Sequence, residues 1–140
     1  RVSRYPTFND VDYYCQHSAN PVGHLVLYVF GYRDKKRKRM SDYTCTALQL
    51  ANFWQDVARD FSAGRIYIPQ EDMERFGYSE AQLSAGEVTD QFRCLMAFEI
   101  ERARELFNKG IEPLGKFDTL IDVPSVFHVF RCGHPDEQWH

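Results

Sequence analysis

Between Asn9 and Phe30, apolar or small residues return at three- and four-residue steps: Val11, Tyr14, Cys15, Ser18, Ala19, Val22, Val26, Val29 and Phe30. That spacing predicts one helical face, kinked at Pro21 and stopped at Gly31. The run 33-RDKKRKR-39 then reads as a solvated connector, with a contact to anionic lipid or phosphate as the alternative. Ser41 is placed to cap a second helix running to about Phe61, where Ser62, Ala63 and Gly64 end it. The β-branched stretch 65-RIYIP-69 predicts an extended connector or small strand. Pro69 suits the first turn of a short helix over 70–76, closed by Gly77. In 79-SEAQ-82, Ser79 and Gln82 have the spacing of a capping box.

A longer helix over about 89–109 aligns Phe92, Leu95, Met96, Ile100, Ala103, Leu106 and Phe107 on one face, with Gly110 as its stop. The fold class that follows is all-α, with three substantial helices and one or two short ones. Beyond Gly115 the helical period fails, and Pro124, Gly133 and Pro135 break up a short apolar run. The organisation expected is a helical unit over 1–115 and a tail, 116–140, with no predicted structure.

The second helix carries an anomaly. At about 100° per residue, Gln49, Asn52, Asp56 and Asp60 fall within roughly 80° of one another. Phe53, Val57, Leu50, Phe61, Trp54 and three alanines fill most of the remaining circumference, the pattern of an interior helix. A solvated acidic face is the plain reading. Such a face normally recruits Lys or Arg one turn away, yet the positions four before and four after Asp56 are Asn52 and Asp60. Like charges one turn apart cost roughly 0.2–0.5 kcal/mol even when exposed. A cation reverses that sign. Two carboxylates flanked by amide oxygens suit Mg²⁺, a hard ion that bridges to substrate phosphates. Arg65 and Tyr67 follow closely in the chain, and a guanidinium forks well onto phosphate oxygens. Together these residues describe a diphosphate clamp.

Composition narrows the choice. The chain has 140 residues, 44% hydrophobic and 15% aromatic, enough for one compact core. Seventeen basic against 20 acidic residues leave a net charge of −3, which argues against nucleic acid as a partner. Cys15, Cys45, Cys94 and Cys132 are widely spaced without a CxxC pair, so reduced thiols and a cytoplasmic setting are expected. No apolar run reaches the roughly 18 residues that a membrane span needs, and the N-terminus has no signal-peptide pattern. Cys15 and Cys45 sit at apolar positions and read as small core residues. His17, His24, His128, His134 and His140 have no ligand spacing with the carboxylates, and 132-CGH-134 with His140 makes only a weak transition-metal pattern.

The stretch 49-QLANFWQDVARDFSAGRIYIPQEDM-73 resembles the second aspartate-rich motif of the squalene/phytoene synthase family, the head-to-head prenyl synthases. Upstream, 14-YCQHSANPVGHLVL-27 resembles that family's Tyr-Cys helix, which ends in a Val-Gly pair. The likeness spans about residues 4–112. Within the family, 4-RYPTF-8, 18-SANPVG-23 and Gln55 ahead of Asp56 look most like the hydroxysqualene synthase branch of hopanoid biosynthesis, since phytoene synthases usually have Arg at the latter position.

The resemblance implies an isoprenoid-synthase helical bundle and assigns roles. Asp56 and Asp60, with Asn52, would hold Mg²⁺; Gln49 and Asn52 would orient metal-bound water or diphosphate. Tyr14 would stand near the reacting centre, and Arg65 and Tyr67 would approach the diphosphate. Val22 and Gly23 would shape a prenyl-chain tunnel, to which part of the 92–107 face would also contribute. The implied substrate is presqualene or another long-chain prenyl diphosphate, ionised and quenched by water without a nicotinamide; no glycine-rich dinucleotide fingerprint is present. Phytoene or presqualene-diphosphate synthesis is the alternative reaction. The family's first aspartate-rich motif is absent, because Asp10 and Asp12 have the wrong spacing. A partial enzyme sequence is therefore expected, with a truncated, non-catalytic interaction module as the other reading. Peripheral contact with the inner membrane face and a partner synthase of the same pathway complete the expectations.

Overall fold

The computed structural model describes residues 2–112. The expectations for the 116–140 tail, including Cys132, His134 and His140, lie outside the described residues. Seven helices follow in order: α1 (Phe8–Ser18), α2 (Asn20–Val29), α3 (Lys35–Gln55), α4 (Val57–Ser62), α5 (Gln70–Arg75), α6 (Glu80–Ser84) and α7 (Asp90–Ile111). No strand occurs among the described residues, and the fold is all-α as expected. The 65–69 stretch is an extended connector rather than a strand. It runs beside the N-terminal segment, with Ile66 N donating to Ser3 O at 3.0 Å and Gln70 N to Tyr5 O at 2.9 Å.

Four helix boundaries differ from the sequence reading, each for a local reason. The predicted 9–30 helix is two helices that part at Ala19, and Pro21 sits in the first turn of α2, where its missing N–H costs nothing. The basic run 33–39 is not a connector. The Asp34 carboxylate accepts from Arg37 N and caps α3, so Lys35 to Arg39 form its first turns and Ser41 is interior. Asp56 interrupts the second helix with φ −103° and ψ 18°, dividing it into α3 and α4. Gly110 does not stop α7, which continues to Ile111. A side chain there would collide with Thr44 Oγ1 and come within 3.0 Å of Met40 O, so Gly110 permits close approach of α7 to the start of α3. The two long helices therefore run antiparallel.

The predicted capping box of α6 is present, Ser79 Oγ accepting from Gln82 N at 3.1 Å. Thr7 and Asp10 form a second one at the start of α1. The core lies between α3 and α7 and under the 66–69 connector, with Leu50, Leu95, Ile68, Val11 and Cys15 fully enclosed. Burial pushes the Cys15 thiol up to about 12, as befits a packing residue rather than a nucleophile. Much of the second half of the predicted apolar face is instead exposed, including Val22, Val26, Val29 and Phe30.

Candidate functional site

The polar stripe survives the break at Asp56, because the backbone hydrogen bonds continue across it. Asp56 N donates to Asn52 O at 3.0 Å and Asp60 N to Asp56 O at 2.8 Å. The two carboxylates are thus carried one turn apart on one side of the α3–α4 rod. Gln49, Asp56 and Asp60 are half-buried, and Asn52 is exposed. The stripe borders the surface of the described residues rather than lying in the interior that its apolar surroundings suggested. Leu48, beside Asn52 on the helix, is 54% exposed and carries the apolar surface up to the stripe.

Among the described residues Asp56 has one cationic neighbour, Arg59 Nη1 at 4.0 Å, and that arginine is almost wholly solvated. Such a contact stabilises little. No ion pair holds Asp60 among the described residues. The clustered donors are all hard oxygens, which fits a Mg²⁺ ion as far as they go. Among the described residues no group of three or more His, Cys, Asp or Glu side chains converges to hold a metal.

At the Asp60 end, the connector folds back over the rod. Gly64, at φ +81°, makes the reversal, and Arg65 N donates to Asp60 O at 2.8 Å. Asp60, Arg65 and Tyr67 thereby line one small cleft, walled by Phe53, Val57 and Leu83. Tyr67 lies at the hub of an aromatic cluster. Its ring stacks on Phe53 at 3.8 Å and within 1° of parallel, and it lies 5.8 Å from Tyr14 and 5.5 Å from Tyr5. Burial raises the Tyr67 phenol above its ordinary value; the Tyr14 hydroxyl and the Asp60 charge add to this, and Arg65 opposes it. The structure thus brings Tyr14, Asp60, Arg65 and Tyr67 to one end of the stripe, with Asp56, Asn52 and Gln49 following along α3.

Val22 and Gly23 are placed differently. Val22 is on the exposed side of α2, whereas Gly23 faces α3, where a Cβ would strike Ser41 Oγ and Cys45 Sγ. The space that a side chain at Gly23 would need is occupied by these α3 atoms. Its smallness sets the spacing of α2 and α3.

Sequence reasoning missed Tyr5, which is 4% exposed and packs edge-on against Tyr14 at 5.9 Å. It also missed the extension of the stripe. Asp42, seven residues before Gln49 and on the same arc of α3, pairs with His24 Nε2 across the α2–α3 contact. Two-turn spacing was the signal that would have found it. Just beside this pair, Thr46 Oγ1 donates to the buried Asn20 Oδ1 at 3.0 Å.

Residues 1–125 match the squalene/phytoene synthase family. A 15-cis-phytoene synthase of Synechocystis sp. is 39% identical over 129 residues, covering 81% of this chain and 38% of its own length. Phytoene synthase 1 of Arabidopsis thaliana chloroplasts is 35% identical over 123 residues, covering 81% and 29% respectively. Among solved structures, the squalene synthase HpnC from Alicyclobacillus acidocaldarius superposes with a TM-score of 0.77 at 47% identity, over 83% of this chain and 45% of that one. A dehydrosqualene synthase in complex with ligand gives 0.72 at 28% identity, over 84% and 42%. The chain spans less than half the length of each of these relatives.

Proposed function

The chain belongs to the squalene/phytoene synthase family, and from that premise we propose that it carries the second carboxylate cluster of a Mg²⁺-dependent prenyl-diphosphate synthase. The reaction we assign to the complete protein is conversion of presqualene diphosphate to hydroxysqualene, by ionisation, cation rearrangement and capture of water. The observation that carries this reading is the pair Asp56 and Asp60. They lie one turn apart, with a solvated Arg59 at 4.0 Å as the one ion pair to them among the described residues, while Arg65, Tyr67 and Tyr14 converge at the same end.

A bound Mg²⁺ supplies the charge neutralisation that lets a diphosphate leave with the bonding electron pair. Asp56, Asp60 and the Asn52 amide oxygen would hold it. Arg65 presents its guanidinium fork to phosphate oxygens, and Gln49 and Asn52 orient water or diphosphate by amide hydrogen bonds. The rings of Tyr5, Tyr14, Phe53 and Tyr67 keep water away from one side of the reacting carbons and offer π-faces to a cation. Val22, Val26 and Leu48 offer apolar surface for the prenyl chains.

The 47% identity with the squalene synthase, against 39% with the Synechocystis phytoene synthase, favours a squalene-type product. The number of phytoene synthases among the relatives keeps phytoene as the second reading. The test is to give the complete protein presqualene diphosphate and Mg²⁺ and to identify the product by mass spectrometry. Hydroxysqualene supports the assignment; phytoene from shorter prenyl diphosphates supports the second reading. Turnover unchanged in Asp56→Asn would overturn the metal role, and a complete protein inert on every prenyl diphosphate would leave the non-catalytic interaction module.

Two finer expectations join this proposal. The exposed cations at Lys35 to Arg39, beside exposed Val29 and Phe30, suit contact with an anionic bilayer into which an apolar product is delivered. No described helix is long and apolar enough to cross a membrane. Liposome binding that survived neutralisation of Lys35, Lys36, Arg37 and Lys38 would remove that contact. A synthase supplying the diphosphate substrate is the partner expected.

A further inference from the structure

We propose that Glu99 is carried as a neutral carboxylic acid that donates its proton to the Asp72 carboxylate, that Arg102 closes the pair, and that this clasp is a positioning device for Arg65 and Tyr67. Glu99 on α7 and Asp72 on α5 are among the most enclosed residues of the molecule, at 0% and 2% exposure. One guanidinium serves both: Arg102 Nη1 donates to Asp72 Oδ2 at 2.8 Å and to Glu99 Oε2 at 3.3 Å. Two ionised carboxylates against one guanidinium would leave an uncompensated negative charge in the interior, which is very costly.

The second observation is an orphaned atom. Glu99 Oε1 is inaccessible to solvent and receives no hydrogen bond from the described residues. A carboxylate oxygen without a donor is poorly accommodated there, whereas a hydroxyl can donate, and the Asp72 and Glu99 carboxyls meet at the same Arg102 Nη1. A single proton on Glu99 removes both the orphan and the excess charge. Burial first, and Asp72 second, raise the Glu99 carboxyl to about 9; Arg102 opposes the shift and Glu71 adds to it. These are the charged groups that face it from α5 and α7, with Arg75 lying beyond, over the Phe98 ring at 5.3 Å. From α1, the Phe8 ring lies 4.0 Å from the Arg102 guanidinium and Phe8 N donates to Glu71 Oε1 at 2.8 Å.

The clasp acts on the connector through a short lever. Asp72 lies in the first turn of α5, and its N–H donates to Pro69 O at 3.1 Å. Residues 65–68 immediately precede that proline and hold Arg65 and Tyr67 in the cleft. Pinning Asp72 to α7 therefore fixes where the connector leaves the candidate site. The positioning claim rests on the proposed role of Arg65; the protonation claim does not.

Three measurements on the complete protein test this. Glu99 has a folded pKa above its unfolded one, so its stabilising contribution is full below the ordinary carboxyl range and is lost as pH rises through about 9. Glu99→Gln, which keeps a donor for Asp72 and cannot ionise, lacks that loss. Its melting temperature should gain on the wild type by at least about 5 °C between pH 5 and pH 9. Parallel melting curves would overturn the neutral acid. Asp72→Asn should destabilise more than Glu99→Gln at pH 7, and the reverse order would put the proton on Asp72. For positioning, Arg102→Lys should raise the KM for the prenyl diphosphate by about tenfold, as should Arg65→Ala. An effect of Arg65→Ala without one of Arg102→Lys overturns positioning alone. If Arg65→Ala itself leaves KM unchanged, the site reading fails while the melting curves still decide the proton.

Discussion

Two pairs of acids sit in this molecule, and they resolve the same repulsion in opposite ways. Asp56 and Asp60 lie on a half-open face, with a solvated arginine 4.0 Å from Asp56. Asp72 and Glu99 lie in the interior, with Arg102 at 2.8 and 3.3 Å. Burial decides between the two solutions. An interior pair must neutralise itself from within the fold, by a guanidinium and a retained proton, because water is not available to solvate a residual charge. A surface pair can stay ionised and wait for a cation. The first arrangement makes structure, and the second leaves free a binding capacity that a ligand can use.

The strongest way to break the comparison is to take the internal cation away. Arg102→Met leaves the Asp72 and Glu99 carboxyls enclosed without their cation, and it should cost about 3–5 kcal/mol of stability, read by denaturant unfolding. A loss below about 1 kcal/mol would mean that the interior pair is hydrated and no different from the outer one. The next effect falls on the outer pair. Asp56→Asn should lower turnover of the complete protein by roughly 10²–10³-fold, the scale of removing one group that stabilises developing charge. Its melting temperature should stay level or rise, since a repulsion is relieved. A variant that lost stability instead would make Asp56 a structural acid like Asp72.

Cation binding sharpens the contrast further. With Mg²⁺ at a hundredfold excess over its dissociation constant, the complete protein should gain about 2.7 kcal/mol in a thermal-shift measurement, and Asp56→Asn should lose most of that gain. Glu99→Gln should keep it. Equal loss in both variants would couple the two acid pairs and contradict their separation.

How far each pair was legible in the sequence follows from the same difference. Asp56 and Asp60 stood out because helical spacing alone puts them together, and the long apolar helices, the capping box at Ser79 and the all-α class were readable for the same local reason. The Asp72–Glu99–Arg102 cluster joins residues about thirty apart, and no periodicity reports a meeting across that distance. The boundaries that moved also depended on single residues. Asp34 outcompeted Ser41 as a cap because its carboxylate accepts from Arg37 N, which let an apparently solvated run begin α3. Gly110 looked like a stop signal, yet it serves helix contact at Met40 and Thr44, a tertiary demand that has the same one-letter signature. At the candidate site, Arg65 and Tyr67 could be expected near Asp60 from chain proximity, but Tyr5 arrives from a segment whose sequence gives no hint of its partner.

The smallest effect is the most discriminating for the outer pair. Asn52 precedes Asp56 by one turn, and the hydrogen bond from Asp56 N to Asn52 O at 3.0 Å shows that helical geometry holds between them. Asn52→Lys would place an ammonium within reach of Asp56 and on the same arc as Asp60. If these acids are merely a solvated face, the lysine supplies the counter-charge that the stripe lacks. It should then stabilise by roughly 0.2–0.5 kcal/mol, toward the lower end because the cation is N-terminal to the acid. If they hold a divalent ion, the same lysine also competes for their oxygens. The Mg²⁺-dependent gain in melting temperature should then shrink, even as the metal-free protein becomes slightly more stable. A lysine variant with an undiminished Mg²⁺ response would show that the ion binds elsewhere, and the stripe would revert to an ordinary acidic surface.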